Sequence, residues 1–208
     1  MHVKIKICGI TSESARDAAV EAGADAIGFV FAEGSPRDIA PARAAELARD
    51  LPPFVTPVAV FRRPARAQVV RVLESFPAYI VQLDVESMAD GSGLGVRLLP
   101  VFHDAEEFDE ALPGYEGNQL LFESALSGQG ARADWERAGR LARRFPNLVL
   151  AGGLDPDNVA EAIRRVRPGA VDVSSGVESA RGVKDNARIQ AFVAAVRASE
   201  LRLQEVSE

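Results

Sequence analysis

A thiol and a carboxyl group give this chain a possible base and a possible acid. Cys8 is the single cysteine of the 208 residues, and Gly9 follows it directly. Glu123 closes an apolar run near the middle of the chain. A thiol becomes a base when nearby cations or N–H groups favour the thiolate, and a protonated carboxyl group is an acid. Cys8 as a small buried hydrophobic residue and Glu123 as a solvated carboxylate are the alternative interpretations.

Glycine loops towards the C-terminus favour a phosphate-binding site. Gly152-Gly153 follows one apolar run, and Ser175-Gly176 follows the next. Glycine lets backbone N–H groups approach anionic oxygens, although a lone glycine pair is more often a simple turn. Arg37 follows a stiff Ser-Pro turn, and its guanidinium either binds a carboxylate in bidentate fashion or lies on the surface. We therefore expect a small phosphorylated substrate.

Eight short, β-rich apolar runs alternate with segments of helical spacing, a pattern typical of a parallel sheet covered by helices. The expected strands are Val3–Ile7, Ala26–Phe31, Pro57–Phe61, Tyr79–Leu83, Val96–Phe102, Gln119–Glu123, Leu148–Ala151 and Ala170–Ser174. The expected helices are Ala15–Ala22, Pro41–Asp50, Ala65–Phe76, Asp104–Leu112, Asp134–Phe145, Val159–Val166 and Asn186–Ser199. Asp84–Gly95 is too short for a full crossover helix, so we expect one helical turn or a loop there.

Eight strands of similar length favour closure into a (β/α)8 TIM barrel, an α/β fold in which residues 1–208 form a single domain with a shortened fourth crossover helix. A doubly wound open sheet is the alternative. It fits less well because no G-x-G-x-x-G follows the first strand. Active sites of such barrels lie at the C-terminal ends of the strands. Cys8, Arg37, Glu123 and the glycine loops all follow apolar runs, so the fold would gather them at one rim.

Composition excludes several classes of protein. The net charge is −6 and the positive residues are scattered, which argues against nucleic acid as a partner. One cysteine and two distant histidines argue against a structural metal site. No apolar run approaches the roughly 20 residues that span a membrane, and the first residues do not resemble a signal peptide. We expect a reduced, cytoplasmic protein with no membrane partner.

Several different short motifs follow one another along the chain. They are Lys6-Ile7-Cys8-Gly9-Ile10-Thr11, Gly28-Phe29-Val30-Phe31 with Ser35-Pro36-Arg37, Val58-Ala59-Val60-Phe61, Gln82-Leu83, Asp134-Trp135, Leu150-Ala151-Gly152-Gly153-Leu154 with Asn158-Val159, and Asp172-Val173-Ser174-Ser175-Gly176-Val177-Glu178. Together these motifs, from Val3 to about Val193, resemble the phosphoribosylanthranilate isomerase family. The first and last motifs are each fairly specific, and together they are strong evidence for this resemblance.

The resemblance implies a (β/α)8 barrel of tryptophan biosynthesis. It would convert N-(5′-phosphoribosyl)anthranilate to 1-(2-carboxyphenylamino)-1-deoxyribulose 5-phosphate, an Amadori rearrangement that needs no metal and no cofactor. A general acid opens the furanose ring to a Schiff base, and a general base then removes the C2′ proton. Members of the family are monomers or dimers, so we expect a monomer or a homodimer.

The resemblance also implies roles for single residues. Cys8 would be the base, Glu123 the acid, and Arg37 the ligand of the anthranilate carboxylate. Asp172 would line the pocket. The phosphate would be bound by Gly152, Gly153, Ser175 and Gly176, with help from a turn that contains Gly128 and Gly130.

The chain departs from the family at two positions that bear on catalysis. Glu123 stands where the family has an aspartate, which moves the carboxyl group by roughly 1.5 Å. A misplacement of about 1 Å can cost on the order of 100-fold in rate. The family's Gln-Leu-His-Gly reads Gln82-Leu83-Asp84-Val85 here, so Asp84 would either repel the phosphate or act as a substitute acid.

Two other functions stay open on these grounds. One is a catalytically impaired barrel that only binds an anionic, phosphorylated ligand. The other is a related isomerase acting on a histidine-pathway aminoaldose, although such relatives usually carry an aspartate where Cys8 stands.

Overall fold

The strands close into a barrel, which confirms the predicted fold class. The computed structural model describes residues 2–76, 78–104, 119–125 and 130–205. Its parallel strands are β1 (Lys4–Cys8), β2 (Ala26–Val30), β3 (Thr56–Val60), β4 (Ile80–Asp84), β5 (Arg97–His103), β6 (Leu121–Glu123), β7 (Val149–Leu150) and β8 (Ala170–Val173). Each strand pairs with the next along the chain, and β1 also pairs with β8, which closes the barrel.

Alternation along each strand decides which side chains face the inside of the barrel. In β1, Ile5 and Ile7 pack in the main apolar cluster with the helices, whereas Cys8 packs with strand residues inside the barrel. Lys6 lies two residues before Cys8 and therefore points to the same side. One strand thus supplies both apolar contacts for the outer layer and polar groups for the interior.

The helices lie mostly where the sequence predicts them. They are α1 (Glu13–Ala22), α2 (Pro41–Arg49), α3 (Arg66–Ser75), α4 (Met88–Gly91), α5 (Trp135–Arg144), α6 (Val159–Val166) and α7 (Asn186–Glu205). The fourth crossover is short, as expected: a 3-10 turn at Val85–Ser87 is followed by the four residues of α4. Most of the predicted helix Asp104–Leu112 lies outside the described residues.

Local signals set the ends of these helices. Ser12 caps α1 by accepting a hydrogen bond from the Ala15 N–H at 3.3 Å. Gly23 ends α1 in the left-handed conformation, with φ of +95°. Asp134 caps α5 by accepting from the N–H groups of Glu136 and Arg137. These are the positions at which the sequence predicts a start or a stop.

A short antiparallel hairpin after β8 was not predicted. It consists of β9 (Glu178–Ala180) and β10 (Val183–Lys184), and strands this short leave no alternation to read. Gly182 turns the chain between them with φ of +83°. The hairpin contributes Glu178 and Lys184, both buried, to the C-terminal rim of the barrel. No helix of the described residues is long and apolar enough to cross a membrane.

Candidate active site

A cavity of about 280 Å³ opens at the C-terminal ends of the barrel strands. Its wall includes polar side chains from five strands: Cys8, Gln82, Asp84, His103, Glu123 and Asp172. Arg37 and the exposed Arg62 and Arg181 reach it from loops and from the β9–β10 hairpin. A cavity therefore lies at the strand ends, where the strand-end rule predicts the site. Cationic side chains around the mouth suit an anionic ligand despite the acidic net charge.

Cys8 lines this cavity and is in contact with a buried ion pair. Cys8 is buried, with 7% of its surface exposed. The ammonium Nζ of Lys6 lies 3.0 Å from Oδ1 of Asp172 and within hydrogen-bonding reach of the Cys8 thiol. Burial raises the pKa of Cys8, and the positive charges of Lys6 and Lys184 oppose that rise without cancelling it. The structure thus gives Cys8 a raised pKa, where a base at neutral pH would favour a lowered one.

Arg37 is held by a second buried pair. Its Nε and Nη2 donate to the two carboxylate oxygens of Glu178 at 2.7 and 2.9 Å. Lys184 Nζ donates to the same carboxylate at 2.8 Å. These donors hold the pKa of Glu178 at about 2, although burial by itself would raise it. Glu178 thus occupies the Nε–Nη2 edge of the Arg37 guanidinium, and the bidentate binding of a substrate carboxylate by Arg37 stays a prediction.

The two pairs form one buried charged cluster. It holds the cations Lys6, Arg37 and Lys184 against the carboxylates Asp172 and Glu178. Buried charges are costly unless they are paired, and each of these five side chains has an ion-pair partner in the cluster. The positive charges of Lys6 and Lys184 also favour a negative charge on Cys8.

Glu123 reaches the same cavity from the opposite side of the barrel. It ends β6, is half-buried, and pairs in register with His103 at the end of β5. His103 Nε2 lies 2.8 Å from Oδ1 of Asp84, and the other Asp84 oxygen accepts the Arg63 backbone N–H at 2.7 Å. These hydrogen bonds lower the pKa of Asp84, although burial opposes them. An ionised Asp84 has no proton to donate, which argues against it as a substitute acid.

A smaller cavity of about 30 Å³ adjoins the first and is lined by the glycine loops. Gly152, Gly153, Gly130 and Ser175 line it, together with Glu123, Asp172 and Ser174, which also line the large cavity. Gly152 and Gly153 have φ of +83° and +64°, and an added Cβ would lie 2.6 Å from Ser124 N or 2.7 Å from the Arg132 backbone. Asn158 Nδ2 donates to the Gly153 carbonyl at 2.8 Å and fixes this loop.

Most of the predicted site residues come together at this rim. Cys8, Arg37, Glu123 and Asp172 line the large cavity, and Gly130, Gly152, Gly153 and Ser175 line the small one. Gly176 packs against the Leu154 carbonyl, where a Cβ would collide. Gly128 lies outside the described residues. Among the described residues, no group of three or more His, Cys, Asp or Glu side chains could hold a metal ion.

Sequence reasoning missed several polar groups of the cavity. His103 is the last residue of β5 and directly follows the predicted fifth strand, which ended at Phe102. The strand-end rule, applied to that strand, would have identified it. Lys6 could have been found from its spacing to Cys8 on one face of β1. Gln82 is 5% exposed, and its Oε1 has no hydrogen-bond partner among the described residues. A buried amide oxygen in a cavity wall is satisfied when a ligand or water donates to it.

Known proteins resemble this chain over almost its whole length. A family model of N-(5′phosphoribosyl)anthranilate (PRA) isomerase matches residues 5–195. An N-(5′-phosphoribosyl)anthranilate isomerase of Dechloromonas aromatica is 44% identical over 212 residues, which cover 96% of this chain and 99% of the relative.

Solved structures agree with this match. The phosphoribosyl anthranilate isomerase of Thermus thermophilus superposes with a TM-score of 0.84 at 33% identity, over 94% of this chain and 99% of that one. Another phosphoribosyl anthranilate isomerase, solved in complex with reduced 1-(o-carboxyphenylamino)-1-deoxyribulose 5-phosphate, has a TM-score of 0.80 at 35% identity, over 95% and 100%. With a matching family model, closely similar relatives and the same barrel, this chain belongs to the phosphoribosylanthranilate isomerase family of tryptophan biosynthesis.

Proposed function

We propose that the large cavity carries out the family's isomerisation of N-(5′-phosphoribosyl)anthranilate, with Cys8 as general base and Glu123 as general acid. One observation supports this assignment above the others: the Cys8 thiol and the Glu123 carboxyl line one cavity at the strand ends, beside a buried cluster of ion pairs. An acid and a base in one cavity are what ring opening followed by proton abstraction requires.

The proton transfers balance over the reaction. Glu123 donates its proton to the furanose ring oxygen as the C1′–O bond breaks, and the nitrogen lone pair forms the C=N bond of the Schiff base. Cys8 then removes the C2′ proton, which leaves the enolamine. When the enolamine becomes the ketone, C1′ takes up the proton held by Cys8, and the enol oxygen returns a proton to Glu123. Both residues end as they began.

Burial and the neighbouring charges together set the basicity of Cys8. Burial raises the pKa of the thiol, so a smaller fraction is ionised than in an ordinary cysteine, but that thiolate is a stronger base. The positive charges of Lys6 and Lys184 stabilise the thiolate, and Lys6 also lies within hydrogen-bonding reach of the sulfur. Lys6 therefore connects Cys8 to the cluster.

The rest of the cavity is suited to a substrate with two anionic ends. The small cavity is lined by Gly130, Gly152, Gly153 and Ser175, and backbone N–H groups of these loops, with that of the adjoining Gly176, would bind the phosphate. Arg37 and Arg181 line the large cavity, where they would attract the anthranilate carboxylate. The Gln82 Oε1 would accept a hydrogen bond from substrate. A solved relative with a reduced product analogue supports this class of ligand.

Turnover of the substrate tests the proposal. Purified protein should abolish the anthranilate fluorescence of N-(5′-phosphoribosyl)anthranilate. Binding of the reduced product analogue without turnover would indicate a barrel that has lost catalysis, and turnover of a histidine-pathway aminoaldose instead would indicate the related isomerase. We further propose that the enzyme acts in the cytoplasm as a monomer or homodimer, which sedimentation velocity distinguishes.

A further inference from the structure

His103 holds a position in the cavity wall that fixes its protonation state. Its Nε2 faces Oδ1 of Asp84 at 2.8 Å, and its Nδ1 faces the Ser124 carbonyl oxygen at 3.3 Å. A carbonyl oxygen and an ionised carboxylate accept hydrogen bonds but donate none. The two contacts therefore favour a proton on both ring nitrogens, which makes the side chain an imidazolium cation.

This cation ties three adjacent strands together at the rim. Asp84 ends β4, His103 ends β5, and Ser124 follows the last residue of β6. The Arg63 backbone N–H anchors the far oxygen of Asp84 at 2.7 Å. The contacts run from the loop after β3 across β4 and β5 to the residue that immediately follows Glu123. The histidine is thus hydrogen-bonded to the backbone next to the proposed acid.

Glu123 is also the neighbour of His103 in the sheet. The two residues are Cα partners on adjacent parallel strands, and both side chains line the large cavity. Among the described residues, the charged groups that face His103 include Asp84 from β4 and Glu123 from β6, while Arg63 reaches Asp84 from the loop after β3. A glutamate side chain has more rotamers to lose than an aspartate. An adjacent cation restricts them by attracting the carbonyl oxygen of the protonated acid and the carboxylate that remains after proton transfer.

We propose that His103, as an imidazolium held by Asp84, is a positioning residue that fixes the Glu123 carboxyl at the rim of β6. The proposal deepens the proposed function, since it rests on Glu123 being the acid. It also connects two features of this chain, the glutamate on β6 and the histidine–carboxylate pair beside it.

The charge of His103 has a defined pH range. The hydrogen bond to Asp84 raises its pKa above 6.5, and the charge of Glu123 adds to that effect against the cost of burial. The imidazolium is therefore retained to a higher pH than in an ordinary histidine and is lost as the pH rises through the raised pKa. Catalysis that depends on this cation should fall on the alkaline side of the pH profile.

Nuclear magnetic resonance tests the charge directly, because the chain has only two histidines. The control variant His2→Gln leaves His103 as the single histidine and should keep full activity, because His2 lies outside the cavity. We expect His103 to titrate above the ordinary histidine value of about 6.5 and to move to a lower midpoint in Asp84→Asn. A midpoint at or below the ordinary value, or one that does not move in Asp84→Asn, would overturn the proposal.

A second experiment tests the positioning. His103→Leu removes the charge and both hydrogen bonds, whereas His103→Gln keeps one donor for Asp84. Crystal structures should show the Glu123 carboxyl displaced by about 1 Å in His103→Leu, and kcat should fall by about 100-fold with a smaller change in KM and loss of the alkaline limb. His103→Gln should be intermediate. An unmoved Glu123 carboxyl contradicts the proposal whatever the activity.

The two hypotheses fail in different ways. If the wild-type protein does not turn over the substrate, the proposed function fails, but the titration and the crystal structures still decide whether His103 is charged and whether it places Glu123. If the wild type is active and His103→Leu keeps its kcat and pH profile, the isomerase function stands and the role of His103 is rejected.

Discussion

Lys6 and Asp172 form an ion pair across the β1–β8 seam of the barrel, with 3.0 Å between Nζ and Oδ1 and both side chains less than a tenth exposed. The two residues are partners in register on adjacent strands, although 166 positions separate them in sequence. Burial alone would lower the pKa of Lys6, but the charge of Asp172 and the neighbouring Cys8 raise it. The barrel closes around a charged pair that also contacts the proposed base.

Breaking this pair from one side should be costly. Lys6→Met leaves Asp172 buried without its cation, which we expect to lower the free energy of unfolding by about 3–5 kcal/mol. In the double variant Lys6→Met/Asp172→Asn neither partner of this pair is charged, so the loss of unfolding free energy should be smaller. Urea unfolding of the wild type, both single variants and the double variant measures this coupling. Strictly additive effects would contradict the pairing.

Replacement of the proposed base should separate activity from folding. Cys8→Ala removes only the sulfur from the cavity wall, and we expect kcat/KM to fall by about 10² to 10⁴-fold with a nearly unchanged melting temperature. The wild-type thiol should be alkylated by iodoacetamide with a midpoint above that of a free thiol, since burial raises its pKa. Lys6→Met should move that midpoint higher still. An alkylation midpoint below that of free cysteine would show that the cluster outweighs burial.

Two substitutions of Glu123 test separately whether catalysis needs an acidic proton and whether it needs the length of the glutamate side chain. Glu123→Gln keeps the shape but has no acidic proton, so we expect a loss of about 10² to 10⁴-fold in kcat/KM. Glu123→Asp keeps the acid and should preserve or improve turnover. Glu74→Gln, the same chemical change at an exposed position on α3, is the matched control. Full activity of Glu123→Gln in the fluorescence assay would assign the acid to another group.

The glycine loop after β7 should tolerate no side chain. Gly153→Ala adds a Cβ within 2.7 Å of the Arg132 backbone at φ of +64°, whereas Gly93→Ala meets nothing within 4 Å at φ of +70°. Both variants carry the strain of a left-handed alanine, about 1–2 kcal/mol, so the difference between them isolates the close contact. We expect only Gly153→Ala to raise KM, by about 10-fold or more. Equal KM values would remove this loop from the substrate site.

Glu178 should make stability depend on acid pH. Its pKa is held at about 2 in the folded protein against an ordinary value of 4.5, so its contribution is complete above pH 4.5 and is lost as the pH falls through 2. That shift corresponds to a contribution on the order of 3 kcal/mol. Glu178→Gln should therefore be much less stable than the wild type near pH 6, and the difference should shrink towards pH 2. A difference in unfolding free energy that is constant with pH would exclude this carboxylate as the source.

Local sequence determined the architecture and the location of the site. In β1 the alternation of Ile5 and Ile7 with Lys6 and Cys8 assigns one set to the helices and the other to the barrel interior. Strands begin and end within two residues of their predicted bounds because apolar runs and helix caps are short-range signals. The strand-end rule then places Cys8, Arg37 and Glu123 at one rim, since parallel strands all end there. None of this requires knowledge of long-range contacts.

Only the closed barrel decided which charges meet. Arg37 and Glu178 are 141 positions apart, and their pairing depends on a hairpin whose strands are too short to predict. The pairing of His103 with Asp84 depends on the register between β4 and β5. The raised pKa of Cys8 is the balance of its burial against two lysines from opposite ends of the chain. Sequence names the groups that can do chemistry, but their charges are set by distances and burial, which exist only once the strands have closed into a barrel.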